Sequence, residues 1–171
     1  MKIDELNSTL RKKAIDLGLC QQWQQSWNGI WDKQKMIEKF FEGIDFCLMY
    51  RYPSYEFIKN NFDRDLLRKN SILLDDKYSL LNPKESVLFG KSESTIRFNA
   101  RNHGTVYLRD NSTAKIKASG KSFVLIHLLD DCYVTVEKSD EAKVILIKHS
   151  EAVTIVAETD VEIREEYDWL K

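Results

Sequence analysis

The second half of the chain repeats short β-rich segments at a nearly constant interval, and this repeat constrains the fold more than any other feature. Between residues 95 and 165, short runs of Val, Ile and Leu alternate with polar clusters such as Asp110-Asn111-Ser112 and Ser139-Asp140-Glu141. A small residue opens most of the units, at steps close to ten residues or twice that: Thr95, Thr105, Ala114, Cys132, Ala142 and Ala152. This self-similarity predicts either stacked repeats or many evenly spaced strands.

Two folds satisfy the repeat. In a β-solenoid, two units would form one turn of about 19 residues, and Val and Ile would stack on their equivalents in the next turn. In an antiparallel β-sandwich or jelly roll, successive strands would be joined by hairpins. The turns are rich in Asp, Ser and Glu but lack the Asn-Gly and Asp-Gly pairs that hairpins prefer, and the related phrases DNSTAKI, SDEAKVI and HSEAVTI suit stacked equivalents. We therefore predict a solenoid, with the sandwich or jelly roll as the alternative.

The first half carries the spacing of short helices. Asp32 and Asp63 stand where helix N-caps are expected, and apolar residues recur at steps of three and four along the first segment: Ile3, Leu6, Leu10, Ala14 and Leu17. This pattern predicts five or six short helices. The fold class is thus predicted to be α+β, with a small helical domain over residues 1–84 and a β-solenoid-like domain over residues 85–171.

The two ends of the β half also carry expectations. SILLDDKYSLL contains two apolar runs around Asp75-Asp76-Lys77, which predicts a hairpin, or a turn at the junction, at the end of the helical domain. An open strand edge invites aggregation, and the C-terminal EEYDWLK offers side chains that could cover the last turn: Tyr167, Trp169 and Leu170.

Composition excludes several classes of protein. The 171 residues include 26 Lys and Arg against 27 Asp and Glu, so nucleic acid is an unexpected partner. No apolar run is long enough to span a membrane, and the first residues lack a secretion signal, so a cytoplasmic protein is expected. Cys20, Cys47 and Cys132 are widely spaced without a CxxC pair, which indicates reduced and mostly buried thiols.

Three tryptophans are the most conspicuous local feature. Trp23, Trp27 and Trp31 follow one another at four-residue steps, a spacing that places side chains on one face of a helix. Such a face is either the core of a small helical domain or a surface that binds a partner, since Trp is common at binding hot spots. We treat the three as the candidate partner-binding residues.

No catalytic, cofactor or metal site is predicted. His103, His127 and His149 are far apart in sequence, and no Cys/His cluster has metal-ligand spacing. The chain contains no GxSxG, P-loop, HExxH or GxGxxG motif.

We predict a non-enzymatic protein that works through a protein partner or self-association. The alternative is a cupin-like barrel that binds a small molecule or acts as an enzyme, with His127 and Tyr133 in its cavity. A nucleic-acid or host-defence regulator would need a basic groove formed only in three dimensions.

The chain resembles a family of small uncharacterised proteins in several sequence segments and in the order of these segments. The segments are GLCQQWQQSW, EGIDFCLMYRYPSYEFIKNNF, LLRKNSILLDD, NPKESVLFG, DNSTAKIKA and DEAKVILI. Proteins of this kind are found in gut Bacteroidetes and in their phages and mobile elements. The resemblance covers nearly the whole chain and contains no catalytic motif, so it implies a phage or mobile-element context, with the cytoplasm or a virion as the location, and assigns no functional residue.

Overall fold

The computed structural model describes residues 1–158 and 160–170. Thr159, and Lys171 at the end of the EEYDWLK segment, lie outside the described residues. The chain divides into two compact units, one built on Met1–Leu66 and the other on Leu67–Trp169. The second unit therefore begins well before residue 85.

Within the described residues the first half forms six helices, in agreement with the predicted five or six. They are α1 (Ile3–Asp16), α2 (Gln21–Ser26), α3 (Lys33–Glu42), α4 (Ile44–Tyr50), α5 (Tyr55–Asn61) and α6 (Arg64–Lys69). The apolar stripe of α1 is buried at Leu6, Leu10 and Ala14. Asp32 caps α3, since its carboxylate accepts a hydrogen bond of 2.7 Å from the Lys35 N–H.

The second half is a parallel β-solenoid, as predicted. Its strands are β1 (Ile72–Leu74), β2 (Leu80–Leu81), β3 (Glu85–Phe89), β4 (Glu93–Phe98), β5 (His103–Leu108), β6 (Thr113–Ala118), β7 (Phe123–Leu128), β8 (Tyr133–Lys138), β9 (Lys143–Lys148), β10 (Thr154–Ala157) and β11 (Glu162–Glu165). The odd-numbered strands form sheet A and the even-numbered strands form sheet B. Every neighbouring pair of described strands is parallel, which excludes the antiparallel sandwich.

One full turn of the solenoid, which we call a coil, contains twenty residues in the central part of the domain. Glu93 pairs with Thr113, and Thr113 pairs with Tyr133, while in sheet A His103 pairs with Phe123. A left-handed backbone conformation recurs at every tenth residue, at the corner after each of the six strands from β3 to β8: Gly90, Ala100, Asp110, Gly120, Asp130 and Asp140. Gly and Asp tolerate this conformation better than other residue types do, which explains why the turns are rich in Asp.

The corner aspartates also bind the coil before them. The Gly90 N–H donates to the Asp110 carboxylate at 2.8 Å, and the Gly120 N–H donates to the Asp140 carboxylate at 2.9 Å. Each carboxylate therefore accepts a hydrogen bond from a corner N–H group that does not take part in the pairing of the strands. The same residue type thus allows the turn conformation and links successive coils.

The interior of the solenoid is filled by columns of aliphatic side chains. Ile116, Val136, Ile126 and Leu146 are completely buried, as are most of their column neighbours. The largest interior side chain, Phe98, lies beside Gly104, where a Cβ atom would come within 2.6 Å of the Phe98 ring. Large and small residues thus alternate so that the interior is filled.

Two local expectations were wrong. β1 and β2 do not form a hairpin with each other, because β1 pairs with β3 and β2 pairs with β4 as the first strands of the two sheets. The C-terminal aromatic residues do not cover the last coil as predicted. Trp169 instead packs on the outer side of sheet A, and β11 stays exposed.

Candidate functional site

The three tryptophans do not share one helix face. α2 ends at Ser26, so Trp23 lies in the helix, Trp27 lies at its C-terminal end and Trp31 lies in the following loop. The rings of Trp27 and Trp31 stack at a centroid distance of 4.2 Å and an angle of 7°. Trp31 is 8% exposed, whereas Trp23 and Trp27 are half-buried.

A buried asparagine holds this pair against α1. The Asn7 side chain donates to the Trp31 carbonyl at 2.7 Å and accepts from the Trp31 N–H at 2.9 Å. It also accepts from the Trp27 indole N–H at 3.3 Å. Trp31 packs in one core with Leu6, Leu10 and Met36. These contacts favour a role in the core for Trp31, while partner binding by the three residues stays a prediction.

The structure brings together two histidines that sequence reasoning left apart. The rings of His127 and His149 are parallel within 4° and lie edge to edge with centroids 5.2 Å apart, and the Tyr107 ring stacks against His127 at 4.9 Å. Trp169 packs against both imidazoles, at 4.7 Å from His127 and 4.4 Å from His149. A signal for part of this cluster was present in the sequence, because Tyr107 and His127 are twenty residues apart and are register partners. His103 is exposed at the start of β5.

Hydrogen bonds define the proton positions in this histidine pair. The Glu166 carbonyl can only accept, so His149 Nδ1 donates to it at 2.7 Å. The neutral His149 ring then accepts at Nε2 from His127 Nδ1, at 2.9 Å. Burial, together with His149, lowers the pKa of His127 to about 4, and burial also lowers the pKa of His149. The neutral pair fastens the C-terminal segment to sheet A.

Two of the three cysteines are held as unreactive thiols by burial. Cys47 and Cys132 are buried, and burial raises the pKa of both thiols, to about 12 for Cys132. Cys20 is exposed, and all three cysteines are free thiols, as predicted. Among the residues that the structure describes, no group of three or more His, Cys, Asp or Glu side chains is placed to hold a metal ion.

The most distinctive surface is the C-terminal end of the solenoid. β10 and β11 are the last strands of their sheets, and no other described strand pairs with their outer edges. All four residues of β11 are exposed, with Ile163 at 49%, and on β10 Val156 is 40% exposed. By contrast β1, at the other end of sheet A, is buried throughout. We call β10 and β11 together the open end.

The register of β11 decides which groups face outward from the open end. Ile163 pairs with the core residue Leu146, so its side chain lies on the interior side of sheet A. Glu162 and Arg164 lie on the outer side, where the Arg164 guanidinium donates to the Glu162 carboxylate at 2.7 Å. The apolar column of sheet A thus ends at an exposed Ile163, flanked by one acidic and one basic side chain.

The backbone of Ile163 also faces the open end. The Glu166 N–H donates to the Lys148 carbonyl at 2.9 Å, toward β9. Backbone groups of successive strand residues point alternately to the two neighbouring strands, so those of Glu162 and Arg164 also face β9. The N–H and carbonyl of Ile163 therefore face away from β9, at the open end. Sequence reasoning missed this site because the last segment had the same pattern as the buried ones.

The chain matches no protein-family model, no curated protein and no solved structure. The resemblance to gut Bacteroidetes and phage proteins therefore stays a prediction. None of the helices in the described residues is both long and apolar enough to cross a membrane.

Proposed function

We propose that this protein is a non-enzymatic interaction module that docks a protein partner at the open end of its solenoid. The observation that carries the proposal is the difference between the two ends of sheet A: β1 is buried, whereas β11 is exposed along its whole length. An exposed strand edge offers backbone donors and acceptors to an added strand, and this is a common mode of protein recognition.

The filled interior of the solenoid favours a protein that binds a partner on its surface over a barrel that binds a small molecule in a cavity. Its columns of Val, Ile and Leu are completely buried along most of their length. His127 and Tyr133, which a cupin-like barrel would place in its cavity, lie outside these columns, and Tyr133 is 39% exposed. A side-chain-filled solenoid is suited to hold an interaction surface rigidly.

The resemblance to phage and mobile-element proteins adds a context to the proposal. In that context the protein would act inside the host cell or in a virion, as an assembly component. Of the three tryptophans, Trp23 and Trp27 are a second candidate surface because both are partly exposed, whereas Trp31 is buried in the core.

Affinity capture from host-cell lysate tests the proposal, with a variant blocked at the open end as the comparison. Ile163→Pro removes the N–H that faces the open end, and an edge strand tolerates proline at such a position. Lys121→Glu is the control variant, because Lys121 lies in an exposed ion pair with Glu141 elsewhere on the solenoid. We expect partners that the wild type and Lys121→Glu retain and that Ile163→Pro loses. The lysate also contains untagged copies of this chain, which count as a partner, and identical recovery by all three would overturn the proposal.

A further inference from the structure

We infer that the partner at the open end is a second copy of this chain, with β11 of one copy pairing antiparallel to β11 of the other and the pair centred on Ile163. This inference rests on the proposed function, because it names the partner of the same surface. It follows from three properties of β11: its backbone, its interior side chain and its charges.

The backbone of Ile163 is suited to a two-fold pair. In one class of antiparallel position, two facing residues exchange both N–H···O bonds. Since the N–H and carbonyl of Ile163 face away from β9, Ile163 of each copy donates to and accepts from its equivalent. One symmetric pair therefore satisfies the backbone groups that the open end leaves exposed.

The side chains match in the same register. Residues that face each other in an antiparallel pair have side chains on the same side of the sheet. Ile163 therefore meets its equivalent on the interior side, where it is 49% exposed in the single chain. Ile155 and Val161 pack against the core at the same end, so the two solenoid interiors meet through apolar side chains.

The charges of β11 are complementary to themselves in this register only when the strands run antiparallel. Pairing centred on Ile163 places Glu162 opposite Arg164 of the second copy, and Arg164 opposite Glu162. A parallel pair in register would instead place like charges together, which is unfavourable. Each copy already holds Glu162 and Arg164 in contact at 2.7 Å, so the dimer forms an alternating cluster of four charges. A second copy of β11 therefore supplies the opposite charges that Glu162 and Arg164 need across the pair.

Charge exchange tests the pairing directly. In Glu162→Arg, positions 162 and 164 are both basic, and in Arg164→Glu they are both acidic. A dimer of either variant therefore places like charges opposite each other across the two-fold axis. A mixture of the two variants restores both opposite-charge pairs, and so does the double variant E162R/R164E. Sedimentation velocity over a concentration series measures the dissociation constant of each sample, and circular dichroism checks that each variant is folded.

The expected result is a wild-type dimer that weakens as salt rises, because exposed charge pairs are screened. Each single variant should raise the dissociation constant about tenfold or more, whereas the mixture and the double variant should return close to the wild-type value. Lys121→Glu changes net charge by the same amount as Arg164→Glu and should leave the dimer unchanged.

Two results would overturn the inference: a wild type that stays monomeric throughout the series, or a mixture no better associated than its components. If the wild type is monomeric and affinity capture still yields partners that Ile163→Pro loses, the second copy is excluded and the proposed function stands. If capture also yields none, the proposed function fails as well.

Discussion

Ile126 and Ile163 belong to the same column of sheet A, and alanine substitutions at the two positions measure how open the end of the solenoid is. Ile126 pairs with Leu146, which pairs in turn with Ile163, and the two isoleucines are 0% and 49% exposed. Ile126→Ala removes a fully buried side chain and leaves a cavity, so it should lower the free energy of unfolding by about 3–4 kcal/mol. For Ile163→Ala only about half of a transfer free energy of roughly 2 kcal/mol applies and solvent fills the space, so about 1 kcal/mol is expected.

Urea unfolding followed by the circular dichroism of the sheets provides the assay. Both variants should lower the urea concentration at the midpoint of unfolding. The m-value, which is the slope of the free energy of unfolding against urea concentration, should not change, because neither variant changes the surface exposed on unfolding by much. At low protein concentration, equal losses for the two variants would refute the reasoning, since they would show that Ile163 is covered. If two copies dock through β11, the loss caused by Ile163→Ala grows with protein concentration, while that caused by Ile126→Ala does not.

Three further predictions concern the solenoid. Gly104→Ala should lower the free energy of unfolding by about 1–3 kcal/mol in urea, because the new methyl group meets the Pro83 carbonyl oxygen and comes within 2.6 Å of the Phe98 ring. The lowered pKa of His127, about 4, means that the unfolded chain binds the proton more readily, so stability falls as pH decreases from 6.5 toward 4 and then levels off; thermal unfolding of His127→Gln should show a shallower fall. Arg68→Met removes the guanidinium that donates two hydrogen bonds of 2.8 Å to the buried Asp76 carboxylate, and it should lower the free energy of unfolding in urea by about 3–5 kcal/mol.

Each of these three has an outcome that contradicts it. An unchanged urea midpoint for Gly104→Ala would mean that the coil expands freely at this position. Parallel pH profiles for the wild type and His127→Gln would show that His127 is not held neutral. The double variant R68M/D76L should recover part of the stability lost by Arg68→Met, because it removes the uncompensated charge. If it is less stable than the single variant, packing rather than charge explains the loss.

Much of the solenoid was predictable because its information is local. Alternation of apolar and polar residues determines which side chains face the interior, and it does so at Ile116 and Val136 as the pattern indicates. Asp or Gly occupies most of the corner positions, which recur at every tenth residue, since Asp110, Gly120 and Asp130 adopt the left-handed conformation that the turn requires. The helical stripe of Leu6, Leu10 and Ala14 was predictable for the same reason.

The candidate site was not predictable in this way. Glu162–Glu165 has the same alternation as the buried strands, and its exposure depends on no described strand lying beyond it. The histidine pair depends on the path of the segment after β11, which places Trp169 on the outer side of sheet A. The tryptophan spacing predicted one helix face, but α2 ends at Ser26, before Trp27 and Trp31, and Asn7 binds the backbone of Trp31.

The amino-acid sequence by itself determined the α+β division, the ten-residue unit and the side chains that fill the interior. Only the tertiary structure decided that each strand pairs in parallel with the strand two units away, that β1 at one end of sheet A is buried and that β11 at the other end is exposed. The reason is physical: alternation and turn residues act on neighbours along the chain, and the same pattern serves adjacent antiparallel strands or stacked parallel ones. Pairing between distant strands depends on how whole coils pack, and so does the exposure of Ile163.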